Sequence, residues 1–557
     1  MSVYLAGTVR GEYGTRMPRS VGSDRLFLVL LIALLIVSAN VGLINQLIAT
    51  KDDVGRNIIG LRDIVFVCAI GVGLSHMRTR LLAHLGIAGT AVMVVLLLIP
   101  VSALVGIMKN AEIRDVVVEV GTMLSWALAV IIPTALRNPR SLRVLHQAFV
   151  LTGLTIALGV LFETQTQMRF PVVTATFVAQ NLKNHIVRST ASGWPTMILC
   201  VSLLATSVMF DNAGYRNRRN MGRCLGLFLC ALAALLSQSR TLVVGVGAGL
   251  ASSIIMAIIA GRRLRSGGAL LLAGTAAAGL FCALVAGEQF LREGFGEYFT
   301  ARYSVLVGDN LDEYAVTDVR RFELDRAWSE GMQSPVYGLG IGVPYREVFY
   351  SAEASGLLAH NLVTYFITRF GFPGLLTLLV FSGGMIRCQY RACRDTSPRC
   401  LMWLGFASGV VSLLACAWFG NVFASPYSAQ QAMLAVGVVL AHERLRQVPE
   451  LARDLGTQLT GPWSGRVVAR VGAVPRDVPS RPGGSVGTWL TPDRHPVRPS
   501  LTRMFHRRSD FVVLGIPVRF GGRCGGVRAG SGPGCGDRGG LVASDSPSKN
   551  AIRTQFD

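Results

Sequence analysis

The sequence predicts an all-α polytopic membrane protein with about twelve transmembrane helices, on three observations: its apolar content, the length of its apolar blocks and the placement of its arginines. Of 557 residues, 51% are hydrophobic and only 15% charged, more apolar surface than a soluble domain of ordinary charge content can cover. The apolar residues fall in blocks of roughly 17 to 25. That is the length a helix rising about 1.5 Å per residue needs to cross about 30 Å of hydrocarbon.

The blocks lie at about 26–48, 58–76, 81–107, 113–136, 144–164, 190–210, 224–238, 242–260, 268–286, 362–386, 400–420 and 428–443. The first follows a basic segment with Arg10, Arg16 and Arg19, and it is too long and too closely followed by other spans to be a cleaved signal peptide. With a cytoplasmic N-terminus, the loops holding Arg78/Arg80, Arg137/Arg140/Arg143, Arg216/Arg218/Arg219/Arg223, Arg262/Arg263/Arg265 and Arg387/Arg391/Arg394/Arg399 all fall inside. The opposite loops, such as Ala49 to Gly55 and Asn421 to Ser428, are poor in basic residues. Residues 1–25 then form a cytoplasmic segment and 26–443 the membrane domain, set in the inner (cytoplasmic) membrane with both termini inside.

Residues 444–557 lose the apolar periodicity and become rich in Arg, Gly, Pro and Ser, as in "RPGGSVGTWLTPDRHPVRPS". Such a composition buries too little to offset its ordering entropy, so a disordered basic cytoplasmic tail is expected. The net charge of +22 is therefore topological, and with no Lys/Arg stripe interleaved with aromatics, nucleic acid is excluded as a partner. Eleven Cys, among them Cys68, Cys200, Cys230 and Cys416, sit mostly in apolar blocks without CxxC or Cys/His spacing. They read as small buried side chains, not as disulfides or metal ligands.

Two outward segments exceed what a connection requires, about 165–189 and about 287–361, the latter between the ninth and tenth spans. Long ordered loops commonly carry function. The larger one, with aromatics and mixed charges, is expected to form a small helical subdomain. Its acidic cluster Asp309, Asp312 and Glu313 reads as a solvated turn.

Three elements on that side place polar groups at span ends, where burial is costly without a role or partner. "LLSQSRTLVVG" puts Arg240 between the seventh and eighth spans, and an interfacial, snorkelling arginine is its plain reading. "DVRRFELDRAWSEGMQSPVYGLGIG" carries Arg320, Arg321 and Arg326 on an amphipathic helix that runs into a Gly-rich turn from Gly338 to Gly342. A solvated helix face explains it when taken alone, and with no strand before it the GxGxG is not a nucleotide loop. "LLAHNLVTYFITRFGFPGLL" sets His360 and Asn361 at the start of the tenth span.

In order and spacing the three segments resemble the O-antigen ligase and polysaccharide polymerase superfamily. "TATFVAQN", with Asn181, is similar to that family's Phe-x-x-x-Asn stretch in an earlier outer loop. The resemblance covers roughly residues 165–440. Three positions depart from the pattern: Gln180 where a Pro is usual, Arg369 where an acidic residue is often found, and Asp325 where an aromatic is expected.

The resemblance implies a GT-C-like glycosyltransferase architecture and transfer of an undecaprenyl-diphosphate-linked glycan to an acceptor glycan on the outer face of the membrane, by inverting displacement. Donor lipid, acceptor glycan and bilayer are then the partners. Arg240, Arg321 and Arg320 are implied to bind the diphosphate, since guanidinium forks match phosphate oxygens and stay charged at any working pH. His360 is the implied catalytic residue, either as base or as orienting acceptor for the attacking hydroxyl. Asn361 and Asn181 are supporting residues, and helix capping is an equal alternative for Asn361. Neither cofactor nor metal is expected, because no Asp-x-Asp pair occurs on the outer loops and arginines can neutralise the leaving group. A multi-pass transporter of a small solute or glycan fits the same spans and is the rival reading.

Overall fold

The computed structural model describes residues 21–39, 50–51, 57–59, 61–77, 82, 84–136, 138–166, 175–178, 187–190, 193–210, 218–237, 240–261, 266–286, 325–344, 361–395, 400–417, 422–423 and 428–447. Within them the chain is overwhelmingly helical. In order come α1 (Val21–Ala39), α2 (Leu61–His76), α3 (Gly86–Met108), α4 (Ile113–Met123), α5 (Trp126–Ala135), α6 (Pro139–Thr166) and α7 (Trp194–Phe210). These are followed by α8 (Arg218–Leu236), α9 (Arg240–Ile259), α10 (Ser266–Ala286), α11 (residues 325–333), α12 (Leu362–Arg394), α13 (Cys400–Cys416) and α14 (Ala429–Gln447).

Every apolar block read from the sequence contains a helix, and α4 and α5 share the fourth. Five stretches are long and apolar enough to cross a membrane: Gly86–Met108, Ile113–Ala135, Pro139–Phe162, Thr241–Ile259 and Leu362–Arg394. Trp194–Phe210, Asn220–Leu236, Leu272–Cys282 and Cys400–Cys416 are shorter apolar helices. The chain is a membrane protein in its helix composition, and its outer faces agree. Leu97, Leu104, Val117, Leu151, Leu376 and Leu379 are each more than 60% exposed, which suits hydrocarbon rather than water.

Two short antiparallel pairs decorate this helical frame: β1 (Thr50–Lys51) with β2 (Asn57–Ile59), and β3 (Ala175–Val178) with β4 (Val187–Thr190). The second pairs Thr176 with Ser189 and Phe177 with Arg188 in what was read only as an outer loop. The first span begins earlier than the apolar block, at Val21, because Ser23 to Arg25 continue the same helix. Positions 40–48 of that block, the N-terminal segment 1–20 and the tail from 448 lie outside the described residues.

Inside the bundle, polar side chains tie helices together in pairs that an apolar medium favours. Gln431 of α14 donates from Nε2 to the Ser38 carbonyl (2.9 Å), and its Oε1 accepts from the Thr196 hydroxyl (2.8 Å), joining α1, α7 and α14. Gln389 of α12 donates to the Ser252 and Ser408 hydroxyls at 3.0 and 3.1 Å. Arg444 donates to the carbonyls of Pro133 and Leu136, capping the C-terminal end of α5 with a buried cation where the helix dipole favours one. Small residues permit close approach: Gly245 faces the Cys416 thiol, and Gly249 the Ser412 side chain.

The cysteine reading needs one correction. Cys200, Cys230, Cys388, Cys393, Cys400 and Cys416 are buried, Cys224 and Cys282 only partly so, and Cys68 is exposed. It lies on the outward side of α2 with Ile64 and Val67, so an apolar block does not imply an inward side chain in a protein whose solvent is lipid.

Candidate functional site

The start of α9, the end of α13 and the start of α12 meet at one end of the bundle. The Cys416 thiol donates to the Thr241 carbonyl (3.1 Å), and the Leu362 amide donates to the Ala417 carbonyl (2.9 Å). Two hydrogen bonds therefore connect the residue after Arg240 to the residue after Asn361 through adjoining positions of α13. Arg240 and the His360–Asn361 pair are far apart in sequence, yet the backbones beside them converge.

Asn361 is the N-cap of α12. Its backbone is extended (φ −118°, ψ 133°) and its side-chain oxygen accepts from the Val363 amide at 2.8 Å. The capping alternative left open by the sequence is thus realised. Asn361→Ala is expected to lower stability by about 1 kcal/mol and Asn361→Asp to restore it. Thermal unfolding in detergent measures this, and equal midpoints for all three chains would remove the cap role.

A second node lies on α12 beyond this cap. Helix α12 breaks at Gly371 (φ 65°, ψ −155°), two residues before Pro373, which has no amide to donate. The groups released by the break are taken up by the segment leading into the Gly-rich turn, by the turn itself and by α3. Phe372 N donates to the Pro335 carbonyl (2.7 Å), Leu339 N to the Thr368 carbonyl (2.5 Å), and the Ser102 hydroxyl to the Arg369 carbonyl (2.5 Å). In an apolar medium each of these groups must find such a partner.

The turn itself is fixed by its glycines. Gly338, Gly340 and Gly342 have φ of 69°, 95° and 85°, and a Cβ on Gly340 would strike the backbone of Gly106 in α3. Ile341 N donates to the Ser102 carbonyl (3.0 Å), and Lys109 Nζ to the Gly338 carbonyl (3.1 Å).

Beneath the turn a buried ion pair completes the node. Arg369 Nε lies 2.7 Å from Glu119 Oε1, with the two side chains 0% and 4% exposed. The guanidinium also donates to the carbonyls of Gly340 (3.1 Å) and Val343 (2.5 Å), and Glu119 Oε2 accepts from Gly342 N (2.7 Å). Sequence reasoning marked Arg369 only as a departure from a family pattern and passed over Glu119. The signal was there, since Glu119 is an acid inside an apolar block.

Of the other residues singled out from sequence, Arg240 opens α9 with its backbone, while its side chain lies outside the described residues. Arg320, Arg321, His360 and Asn181 lie outside them altogether, as do Asp309, Asp312 and Glu313. Arg326 is described and pairs with Glu330 across one turn of α11 (3.0 Å), the solvated-face reading. Among the described residues no group of three or more His, Cys, Asp or Glu could hold a metal ion.

A helical membrane protein whose glycine turn is clamped against a broken span, with three helix ends converging nearby, is the class that these features define. Residues 225–379 match the model of the O-antigen ligase family. The stretch runs from α8 to the middle of α12 and takes in Arg240, Arg320, Arg321, the glycine turn, His360 and Asn361. Over that stretch the chain is similar to the O-antigen ligase family, and the match supports, over a shorter span, the resemblance to the ligase and polymerase type read from its motifs. No curated protein matches the chain.

Proposed function

We propose that the chain transfers a glycan carried on undecaprenyl diphosphate to an acceptor glycan at the outer face of the cytoplasmic membrane, as a polysaccharide polymerase or O-antigen ligase. The O-antigen ligase match over the stretch that contains all three motif segments carries this reading. It is supported by the convergence of the α9, α12 and α13 ends, which brings the backbone beside Arg240 close to that beside Asn361.

The proposed frame has about twelve spans in a GT-C-like arrangement, with both termini cytoplasmic. The chemistry then follows from residue type. Departure of a lipid diphosphate builds negative charge on phosphate oxygens, and Arg240 and Arg321, with Arg320 beside them, stabilise that charge without a metal. His360 orients the acceptor hydroxyl and receives its proton as the oxygen attacks the anomeric carbon from the face opposite the leaving group, inverting the configuration. Asn361 sets the start of α12, and so the direction in which the chain enters from His360. Asn181 supports the site from the earlier outer loop.

A transporter is the second reading, and the buried Arg369–Glu119 pair is the observation that favours it, since intramembrane charges often mark ion paths. Both charges bind fixed backbone groups of one turn, which suits a brace better than a moving charge.

Glycan structure in a strain lacking the gene tests the proposal and divides its two forms. A product of single repeats is expected from a polymerase, and full chains stranded on carrier lipid from a ligase. Unchanged glycan together with an unchanged lipid-linked pool would reject both.

A further inference from the structure

At the far end of α12 from Asn361, a cavity of about 480 Å³ is lined by Arg387, Tyr390, Arg391 and Arg394 of α12 and by Arg446 of the last turn of α14. Arg387, Arg391 and Arg394 are spaced four and three residues apart, so they share one helix face. Among the described residues, Arg391 is the one member of the group with an acidic partner, the buried Glu443. Three further guanidinium groups bring a net positive charge to one concave site.

Aromatic rings hold two of them in place. Arg394 lies over the Tyr390 ring and Arg446 over the Trp403 ring, each 5.9 Å from the ring centroid. A guanidinium stacked on a ring keeps its N–H edge for an anion and loses little rotamer freedom on binding one. Simple snorkelling would spread these charges into water; here they are gathered. On the same helix Leu376, Leu379, Val380 and Ile386 are exposed apolar residues leading up to the cavity. They offer a track for acyl chains, which a soluble phosphate would not use. The chain after Gln447 is itself rich in arginine and so a poor electrostatic match for the site.

We propose that this cavity binds the phosphate of an anionic phospholipid headgroup in the inner leaflet. The inference rests on the membrane orientation proposed above, and its readout does not involve glycan transfer. The purified full chain in neutral detergent is titrated with phosphatidylglycerol or cardiolipin, with phosphatidylcholine and with glycerol phosphate, and thermal unfolding is followed.

Saturable stabilisation by the anionic lipids alone is expected. Arg446→Gln should weaken their apparent affinity about 5-fold, and Arg387→Gln/Arg394→Gln/Arg446→Gln about 100-fold, given the contribution of each arginine near an anionic surface. Arg140→Gln/Arg143→Gln, a basic pair at the start of α6 on the same proposed side, should leave it within about 3-fold. Equal losses in that control, wild-type affinity in both cavity variants, or equal stabilisation by glycerol phosphate would each overturn the proposal.

Discussion

Arg369→Met is expected to destabilise the chain by roughly 3–5 kcal/mol, the cost of stranding one member of a buried ion pair. Met keeps the apolar stem but leaves the Glu119 carboxylate almost wholly buried, with Gly342 N as its remaining partner in the node. It also removes the donor to the Gly340 and Val343 carbonyls, and an unsatisfied buried acceptor costs about 1–3 kcal/mol. Arg369→Lys keeps the charge without the planar fork and should fall between wild type and Met. Adding Glu119→Leu to Arg369→Met should recover part of the loss, because an apolar pair avoids the desolvation penalty although the turn's polar groups stay unmatched. Thermal unfolding in detergent, with limited proteolysis of the 338–344 turn, measures all four chains. If Arg369→Met unfolds where wild type does, the pair is not a brace.

The same node shows which parts of the protein were open to reading from sequence. Helices were legible because a membrane span declares itself locally, by a run of apolar residues of fixed length. The glycine turn was equally local, whereas the break in α12 at Gly371, two residues before Pro373, went unread because the apolar run continues through it. What joins them was not local. Arg369 and Glu119 are 250 positions apart, and nothing in either neighbourhood names the other. The β3–β4 hairpin was missed for a different reason: four-residue strands give too short an alternation to stand out inside a loop. Cys68 was placed inward because apolar was equated with buried, an equation that fails where the surroundings are lipid.

For the candidate site, the motifs gave the residue types and their order, and the fold brings together only the backbones beside Arg240 and Asn361. The roles of His360, Arg320, Arg321 and Arg240 are proposals carried by motif, and of these four only the backbone of Arg240 lies among the described residues. Asn361 changed most, from an open choice to a helix cap.

Substitutions at these positions are expected to have the largest effect on activity. His360→Ala should slow transfer by about 10²–10⁴-fold, the range for removing a general base. Arg240→Ala and Arg321→Ala should each cost about 10²–10³-fold, comparable to removing one stabilising donor from a developing anion. Lys at either arginine position should restore part of the rate, because it returns the charge without the bidentate fork.

The most direct test reconstitutes the purified chain in liposomes with an undecaprenyl-diphosphate glycan and an acceptor glycan, and follows release of undecaprenyl diphosphate together with acceptor extension. Acceptor-dependent release by wild type, with losses of this size in the correctly folded His360→Ala, Arg240→Ala and Arg321→Ala chains, is the predicted result. Wild-type rates in all three variants, or no acceptor-dependent release by the wild-type chain, would contradict glycan transfer at this site.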